Sequence, residues 1–144
     1  MLNAKRLLLG FTVTLVAFEP VHSAISVEQF EKMAAAMRRN CVQKSETTEE
    51  LVMGLKQGEF PDDQNLSCYT FCILKSLNSY KNGGIDGKMI VRQMDVMPIE
   101  SLPRFKAAIK SCLAQEFNEP DECSLTYRFT KCVYDADPEA FFFP

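Results

Sequence analysis

Six cysteines that follow an apolar N-terminal segment constrain the fold of this 144-residue chain more than any other feature. They are Cys41, Cys68, Cys72, Cys112, Cys123 and Cys132. Residues 1–23 have the pattern of a secretory signal peptide: two basic residues, an apolar run too short to span a bilayer, and small residues near Ser23. We expect cleavage after Ser23, which leaves one domain over residues 24–144.

An even number of cysteines in a secreted chain favours three disulfides. The alternative is a metal site that uses Cys68 and Cys72, but exported thiolates are usually oxidised, so we expect no metal. Cys68 and Cys72 lie four residues apart in a segment with helical periodicity, where their Cβ atoms would be about 5–6 Å apart. A disulfide needs roughly 3.5–4.5 Å between Cβ atoms, so these two cysteines should not pair with each other. Each should join the helix to a different element, and spacing alone leaves the partners open.

The only histidine, His22, lies in the predicted signal peptide. A mature chain without histidine cannot assemble a Ser-His-Asp, Cys-His or His-containing zinc site. We therefore expect no enzymatic activity and no cofactor, with carboxylate-only chemistry as the weakest alternative. Acidic residues outnumber basic ones, which argues against nucleic acid or an anionic membrane surface as a partner.

Capping motifs and apolar spacing predict six short helices and an all-α fold. The first helix begins after Ser26 and ends near Cys41, and the second begins at Thr47 and stops at Gly58. The third runs from Pro61 to about Ser79, before a turn at residues 82–84. The fourth covers about Asp86 to Met94, the fifth runs from Ser101 to near Asn118, and the sixth from Asp121 to about Asp135.

The gaps between successive cysteines are 26, 3, 39, 10 and 8 residues. This pattern, with C-x3-C at Cys68 and Cys72 and C-x8-C at Cys123 and Cys132, resembles that of the insect odorant-binding proteins. The resemblance implies a compact bundle of six helices around an apolar cavity. It also implies disulfides between Cys41 and Cys72, Cys68 and Cys123, and Cys112 and Cys132.

The resemblance further implies reversible binding of small apolar molecules such as odorants or pheromones in extracellular fluid, which is sensillum lymph in an olfactory tissue. A membrane olfactory receptor is then a candidate partner. The rival hypothesis is a disulfide-stabilised effector of saliva, venom or seminal fluid that acts on a protein partner.

Adaptable methionines and aromatic residues at helical spacing are candidates to line such a cavity. The apolar candidates are Phe30, Met33, Met37, Leu66, Ile73, Leu77, Met89, Met94, Phe105, Ala108, Phe129, Val133, Phe141 and Phe143. Ser79 and Thr130 are polar candidates that could orient a ligand head. The alternatives are ordinary core packing for the apolar residues and, for Ser79, a hydrogen bond to the backbone near the end of a helix.

The sequence ends in three phenylalanines and a proline at residues 141–144. Burial of one phenylalanine contributes about 1.5–3 kcal/mol, so this segment should fold back and close the cavity. The alternative is burial in a homodimer or against a receptor. Asn65 lies in an N-glycosylation motif, which we expect to be unoccupied because it adjoins Cys68 at the start of a packed helix.

Overall fold

Six helices and a two-stranded ribbon form the described part of the chain, residues 25–144 of a computed structural model. The helices are α1 (Val27–Ser45), α2 (Glu49–Leu55), α3 (Gln64–Ser76), α4 (Gly87–Met94), α5 (Leu102–Leu113) and α6 (Glu122–Ala136). Strands β1 (Tyr80–Lys81) and β2 (Gly84–Ile85) pair in an antiparallel hairpin between α3 and α4. The predicted all-α class and the six helices are confirmed, and the predicted signal peptide lies outside the described residues.

Local caps determine where most of the helices begin. The predicted capping box of α1 is present, with Ser26 Oγ accepting from the Gln29 backbone and the Gln29 side chain accepting from the Ser26 backbone. Asp63, Asp86 and Asp121 each accept a hydrogen bond from the backbone three residues later, at α3, α4 and α6. The predicted start of α2 at Thr47 is wrong by one residue, because Thr48 Oγ1 caps Leu51.

Four of the predicted helix ends and the predicted start of α3 are wrong. α3 begins at Gln64 after the cap Asp63 and not at Pro61. α2 stops at Leu55 and not at Gly58. α1 continues past Cys41 to Ser45 and stops where Glu46 adopts a left-handed conformation, φ 55°. α3 stops at Ser76 rather than Ser79, because Asn78 is left-handed at φ 53° and the chain turns into β1. α5 stops at Leu113 and not near Asn118. Helix ends depend on a single residue leaving helical geometry, which periodicity does not specify.

The three disulfides connect four of the helices. Cys41 on α1 joins Cys72 on α3, Cys68 on α3 joins Cys123 on α6, and Cys112 on α5 joins Cys132 on α6. This is the pairing that the resemblance implies, and Cys68 and Cys72 reach different helices as their spacing requires. Next to the Cys68–Cys123 bond, the buried hydroxyls of Thr70 and Thr126 are hydrogen-bonded at 3.0 Å, so α3 and α6 are held together twice.

Two clusters of buried apolar side chains form the core. One lies among α4, α5 and α6 and includes Met94, Phe105 and Phe129. The other lies among α1, α2 and α3 and includes Leu55 and Tyr69. The segment after α6, residues 137–144, is called the tail from here on. It contributes Ala140 to the first cluster and Phe143 to the second, so the tail connects the two halves of the core.

Within residues 25–144, no helix is long and apolar enough to cross a membrane. The same residues contain no group of three or more potential metal ligands. Asn65 is exposed, and its side-chain amide donates to the Glu46 carbonyl at 3.1 Å, which connects the start of α3 to the end of α1.

Removing the Cys68–Cys123 bond should cost more stability than removing the Cys112–Cys132 bond. The sequence separations are 55 and 20 residues. Loop-closure entropy then gives losses of about 4 and about 3 kcal/mol in the free energy of unfolding. Urea unfolding of the paired Cys→Ala variants under non-reducing conditions measures both values.

Peptide mapping of the unreduced parent protein provides the control, and it should recover the three pairs stated above. A peptide that links Cys68 to Cys112 would contradict the pairing, and a larger loss on removal of the Cys112–Cys132 bond would contradict the loop-length argument.

Candidate ligand-binding site

A cavity of about 370 Å³ lies between α1, the end of α3, α4, α5, α6 and the tail. Its lining is predominantly apolar, and no charged side chain is among the described residues that line it. The cavity opens at the surface beside Met33 of α1 and Val96 after α4, each 56% exposed. A small concave apolar site with a few polar groups is the usual form of a small-molecule site.

Twelve of the sixteen predicted residues line this cavity. They are Phe30, Met33, Met37, Leu77, Ser79, Met94, Phe105, Phe129, Thr130, Val133, Phe141 and Phe143. The lining residues of α1 recur at helical spacing, so that Phe30, Ala34 and Met37 lie on one face of the helix. Whether these residues contact a ligand remains a prediction.

Four predicted residues do not line the cavity. Leu66 and Ile73 are fully buried in the cluster among α1, α2 and α3, and Ala108 is buried in the other cluster, so these three are packing residues. Met89 precedes Ile90 on α4 and is therefore rotated by roughly 100° from it. Ile90 lies on the cavity face and Met89 does not.

The sequence prediction also missed lining residues. They are Ile25, Ala34, Leu74, Ser76, Asn78, Ile90, Gln93, Val96, Met97, Ile109, Phe142 and Pro144. Three of them carried a usable signal: Ala34, Ile90 and Ile109 lie four residues from the predicted lining residues Phe30, Met94 and Phe105. Gln93 also lies four residues from a predicted residue, Met89, but a glutamine on an amphipathic helix is usually assigned to the solvent face.

The tail forms one side of the cavity. Phe143 is only 8% exposed, and the Tyr69 hydroxyl donates to the main-chain oxygen of Pro144 at 2.6 Å. Burial raises the pKa of Tyr69, so this hydroxyl keeps its proton and remains a donor at any physiological pH. Phe142 contacts Phe30 of α1, with 5.0 Å between ring centroids. The tail therefore contacts both α1 and α3 beside the cavity, and closure of the cavity by these phenylalanines stays a prediction.

An ion-pair cluster fixes the point where the tail leaves α6. Arg104 of α5 donates two hydrogen bonds to the Asp137 carboxylate, at 2.8 and 2.6 Å, and one to Glu139 at 3.1 Å. Asp137 also accepts from the Ala140 backbone. The hydrogen bonds from Arg104 lower the pKa of Asp137 below its ordinary value. The turn into the tail is therefore anchored to the start of α5.

Three polar side chains in the cavity lining are held by neighbouring groups. Ser79 is 1% exposed, with its Oγ 3.3 Å from the Leu77 carbonyl and 3.4 Å from Gln93 Oε1. Gln93 Nε2 donates to the same Leu77 carbonyl. Thr130 is 2% exposed and donates to the Thr126 carbonyl at 2.8 Å. Ser79 reaches the cavity from the loop after α3, and not from a continued helix as predicted.

The fold and the site define a class: an all-α protein with three disulfides around an apolar cavity. The model of the PBP/GOBP family matches residues 23–136, and the chain belongs to this family of insect odorant-binding proteins. Family membership confirms the resemblance and identifies a non-enzymatic family whose members are secreted and bind small hydrophobic molecules.

Individual relatives support this assignment. The chain is 28% identical over 122 residues to general odorant-binding protein 72 of Anopheles gambiae, covering 84% of this chain and all of that protein. Odorant binding protein 5 of Apis mellifera has a solved structure that superposes with a TM-score of 0.79 at 46% identity, covering 84% of this chain and 99% of the other. The structure of odorant binding protein 4 of Chrysopa pallens superposes with a TM-score of 0.74 at 31% identity, covering 83% of this chain and 99% of the other.

Mild acid should leave the tail in place. The lowered pKa of Asp137 means that its pairing with Arg104 stabilises the fold at pH values above the ordinary aspartate pKa near 3.8, and that this contribution is lost only as pH falls through the lowered pKa. The neighbouring Asp135 is paired with Lys131, and residues 25–144 contain no histidine. Affinity for an apolar fluorescent probe should therefore change less than twofold between pH 7.4 and pH 5.5.

The variant Asp137→Asn provides the comparison, because it removes the charge at every pH. It should weaken probe binding already at pH 7.4. A large loss of affinity in the parent protein at pH 5.5 would show that another group controls the tail.

Proposed function

We propose that this protein carries odorant-like or pheromone-like apolar molecules in the cavity between α1 and the tail. The observation that supports the proposal most directly is the cavity itself, about 370 Å³ and lined mainly by apolar side chains. Volumes of about 300–1,000 Å³ are typical of small-molecule pockets. Expulsion of water from such a lining favours an apolar guest by roughly 25 cal/mol for each Å² of apolar surface buried.

The lining suits guests of varied shape. Met33, Met37, Met94 and Met97 contribute flexible, polarisable side chains from three different parts of the chain. The phenylalanines of α1, α5, α6 and the tail supply larger flat surfaces. A lining of this kind can adjust to related molecules without a fixed pattern of polar contacts, which fits a carrier better than a site that recognises a single metabolite.

Secretion through the predicted signal peptide would place this carrier in extracellular fluid, and in sensillum lymph if the tissue is olfactory. Delivery to a membrane olfactory receptor follows as a proposed role. Phe143 is buried against its own chain, and Phe141 and Phe142 are half-buried, which favours closure of the cavity over the homodimer or receptor contact considered from the sequence.

A larger side chain on the cavity face of α1 should weaken ligand binding. Ala34 lines the cavity and Ala36 lies exposed on the same helix, outside the lining. Ala34→Phe should weaken binding of an apolar fluorescent probe more than tenfold, because the added ring occupies the space of the guest, whereas Ala36→Phe should change it less than twofold. Fluorescence titration measures both, and equal affinities in the two variants would place the binding site elsewhere.

Removing the ring of Phe143 from the tail should reduce both the stability of the protein and its affinity for the probe. Phe143→Ala should cost about 3 kcal/mol in the free energy of unfolding, since the ring is almost completely buried. It should also weaken probe binding, because Phe143 lines the cavity. Phe71→Ala is the matched control, as Phe71 is half-buried, packs on Tyr80 and lies outside the lining.

Sedimentation of the same variants tests the alternative for the tail. The Phe143→Ala variant should have the oligomeric state of the parent protein. Unchanged probe affinity combined with loss of a dimer would instead assign the tail to an interface between two copies.

A further inference from the structure

Met33 combines two properties that no other methionine of residues 25–144 shares, because it lines the cavity and is also exposed to solvent. Met53 on α2 is exposed but lies outside the lining, and Met94 on α4 lines the cavity but is buried. A reagent in solution can therefore reach the Met33 sulfur directly. A chemical change of that sulfur alters the wall that a guest meets at the opening of the cavity.

The methionine thioethers are the sulfur groups of this protein that a mild oxidant attacks. All six cysteines are held in disulfides, so no cysteine thiolate competes for the oxidant. A hydroperoxide transfers one oxygen atom to the thioether, so that an S–O bond forms as the O–O bond breaks. The sulfur loses two electrons, and the departing oxygen takes the hydrogen of the transferred hydroxyl and leaves as water or an alcohol. The product is a methionine sulfoxide, whose side chain is polar.

We propose that Met33 is an oxidation site through which a hydroperoxide lowers the affinity of the cavity for apolar guests. The proposal rests on the proposed carrier function and adds a means of regulating the same site. The oxidant is hydrogen peroxide or an organic hydroperoxide in the fluid around the protein. The change is reversible in principle, because methionine sulfoxide reductases restore the thioether.

Oxidation of Met33 should leave the empty protein folded. Met33 belongs to neither core cluster of the described residues, whereas Met37, one turn later, packs against the cluster among α1, α2 and α3. The buried residues of α1 are Cys41 and Ser45, in its last two turns. A sulfoxide at position 33 can therefore keep its oxygen in water, and no packed side chain has to move to accommodate it.

A bound guest makes the same sulfoxide costly. A guest that fills the opening between Met33 and Val96 covers part of the Met33 side chain. The thioether would gain apolar contacts from this, but the sulfoxide oxygen would lose water. Phe30 and Met37, the lining residues three and four positions away on α1, have no hydrogen-bond donor to replace that water. A buried acceptor without a donor weakens the complex, so oxidation should reduce binding and not folding.

The test is treatment of the disulfide-bonded protein with hydrogen peroxide, followed by removal of the peroxide and titration with N-phenyl-1-naphthylamine at pH 7.4. Peptide mass spectrometry identifies the oxidised methionines, and the treatment is stopped when Met33 is converted and Met94 is not. The treated parent protein should bind the probe about tenfold more weakly than the untreated protein, and its urea unfolding midpoint should be unchanged.

Two leucine variants assign the effect to one sulfur. Met33→Leu keeps an apolar side chain of similar size without a sulfur, so the same treatment should change its affinity for the probe less than twofold. Met53→Leu removes the exposed methionine outside the lining and should lose affinity as the parent protein does. Met33→Gln introduces a polar group without any oxidant and should weaken binding in the untreated protein, whereas Met53→Gln should not.

Three results would overturn the proposal. Full affinity of a treated parent protein in which Met33 is oxidised would show that the sulfoxide does not affect the guest. An equal loss of affinity in treated Met33→Leu would assign the effect to another residue, and a lowered unfolding midpoint would assign it to loss of folding. Failure of the untreated parent protein to bind the probe would instead remove the carrier function itself, which separates that failure from a failure of the oxidation site.

Discussion

The attachment of α3 to two other helices is the constraint on which the rest of the structure depends. Cys68 and Cys72 lie one helical turn apart, and their disulfides lead to α6 and α1. The buried contact between Thr70 and Thr126 fixes the orientation of α6 against the same helix. With α1 and α6 held in this way, the space between them need not be filled by side chains. A cavity, which would destabilise a small core, is tolerated because covalent bonds limit the unfolded chain.

The position of the tail follows from the same attachment. α6 is fixed at both ends, by Cys123 to α3 and by Cys132 to α5, so Asp137 always emerges near the start of α5 where Arg104 binds it. From there the tail can reach Tyr69, a residue of α3 that lies between the two cysteines bonded to α6 and α1. One side of the cavity is thus formed by a segment that is anchored at its start by the Arg104–Asp137 ion pair and at its far end by the buried Tyr69 hydroxyl.

Sequence reasoning predicted the features that local chemistry determines. Three of the helix starts carry a side-chain cap at the predicted residue, and the helical spacing of Cys68 and Cys72 excluded their pairing. The predicted end of α3 is three residues too late, because helical periodicity does not indicate the left-handed Asn78 or the hairpin that follows it. Periodicity identified an apolar face on α3 but not which part of the molecule that face packs against. Ile73 lies in the core cluster shared with α1, and the next residue, Leu74, borders the cavity. Gln93 was not predicted, because a glutamine on an amphipathic helix is usually assigned to the solvent face.

The distribution of buried contacts along α1 indicates how a guest can enter and leave. Only Cys41 and Ser45 are buried on this helix, and both lie in its last two turns. The earlier turns carry exposed Val27 and Met33 and touch the rest of the molecule through Phe30, Ala34 and Met37, which line the cavity. The first half of α1 therefore has few of the buried contacts that resist local opening. A guest bound at the proposed site would add apolar contacts there, and it would stabilise the same segment whose displacement would release it.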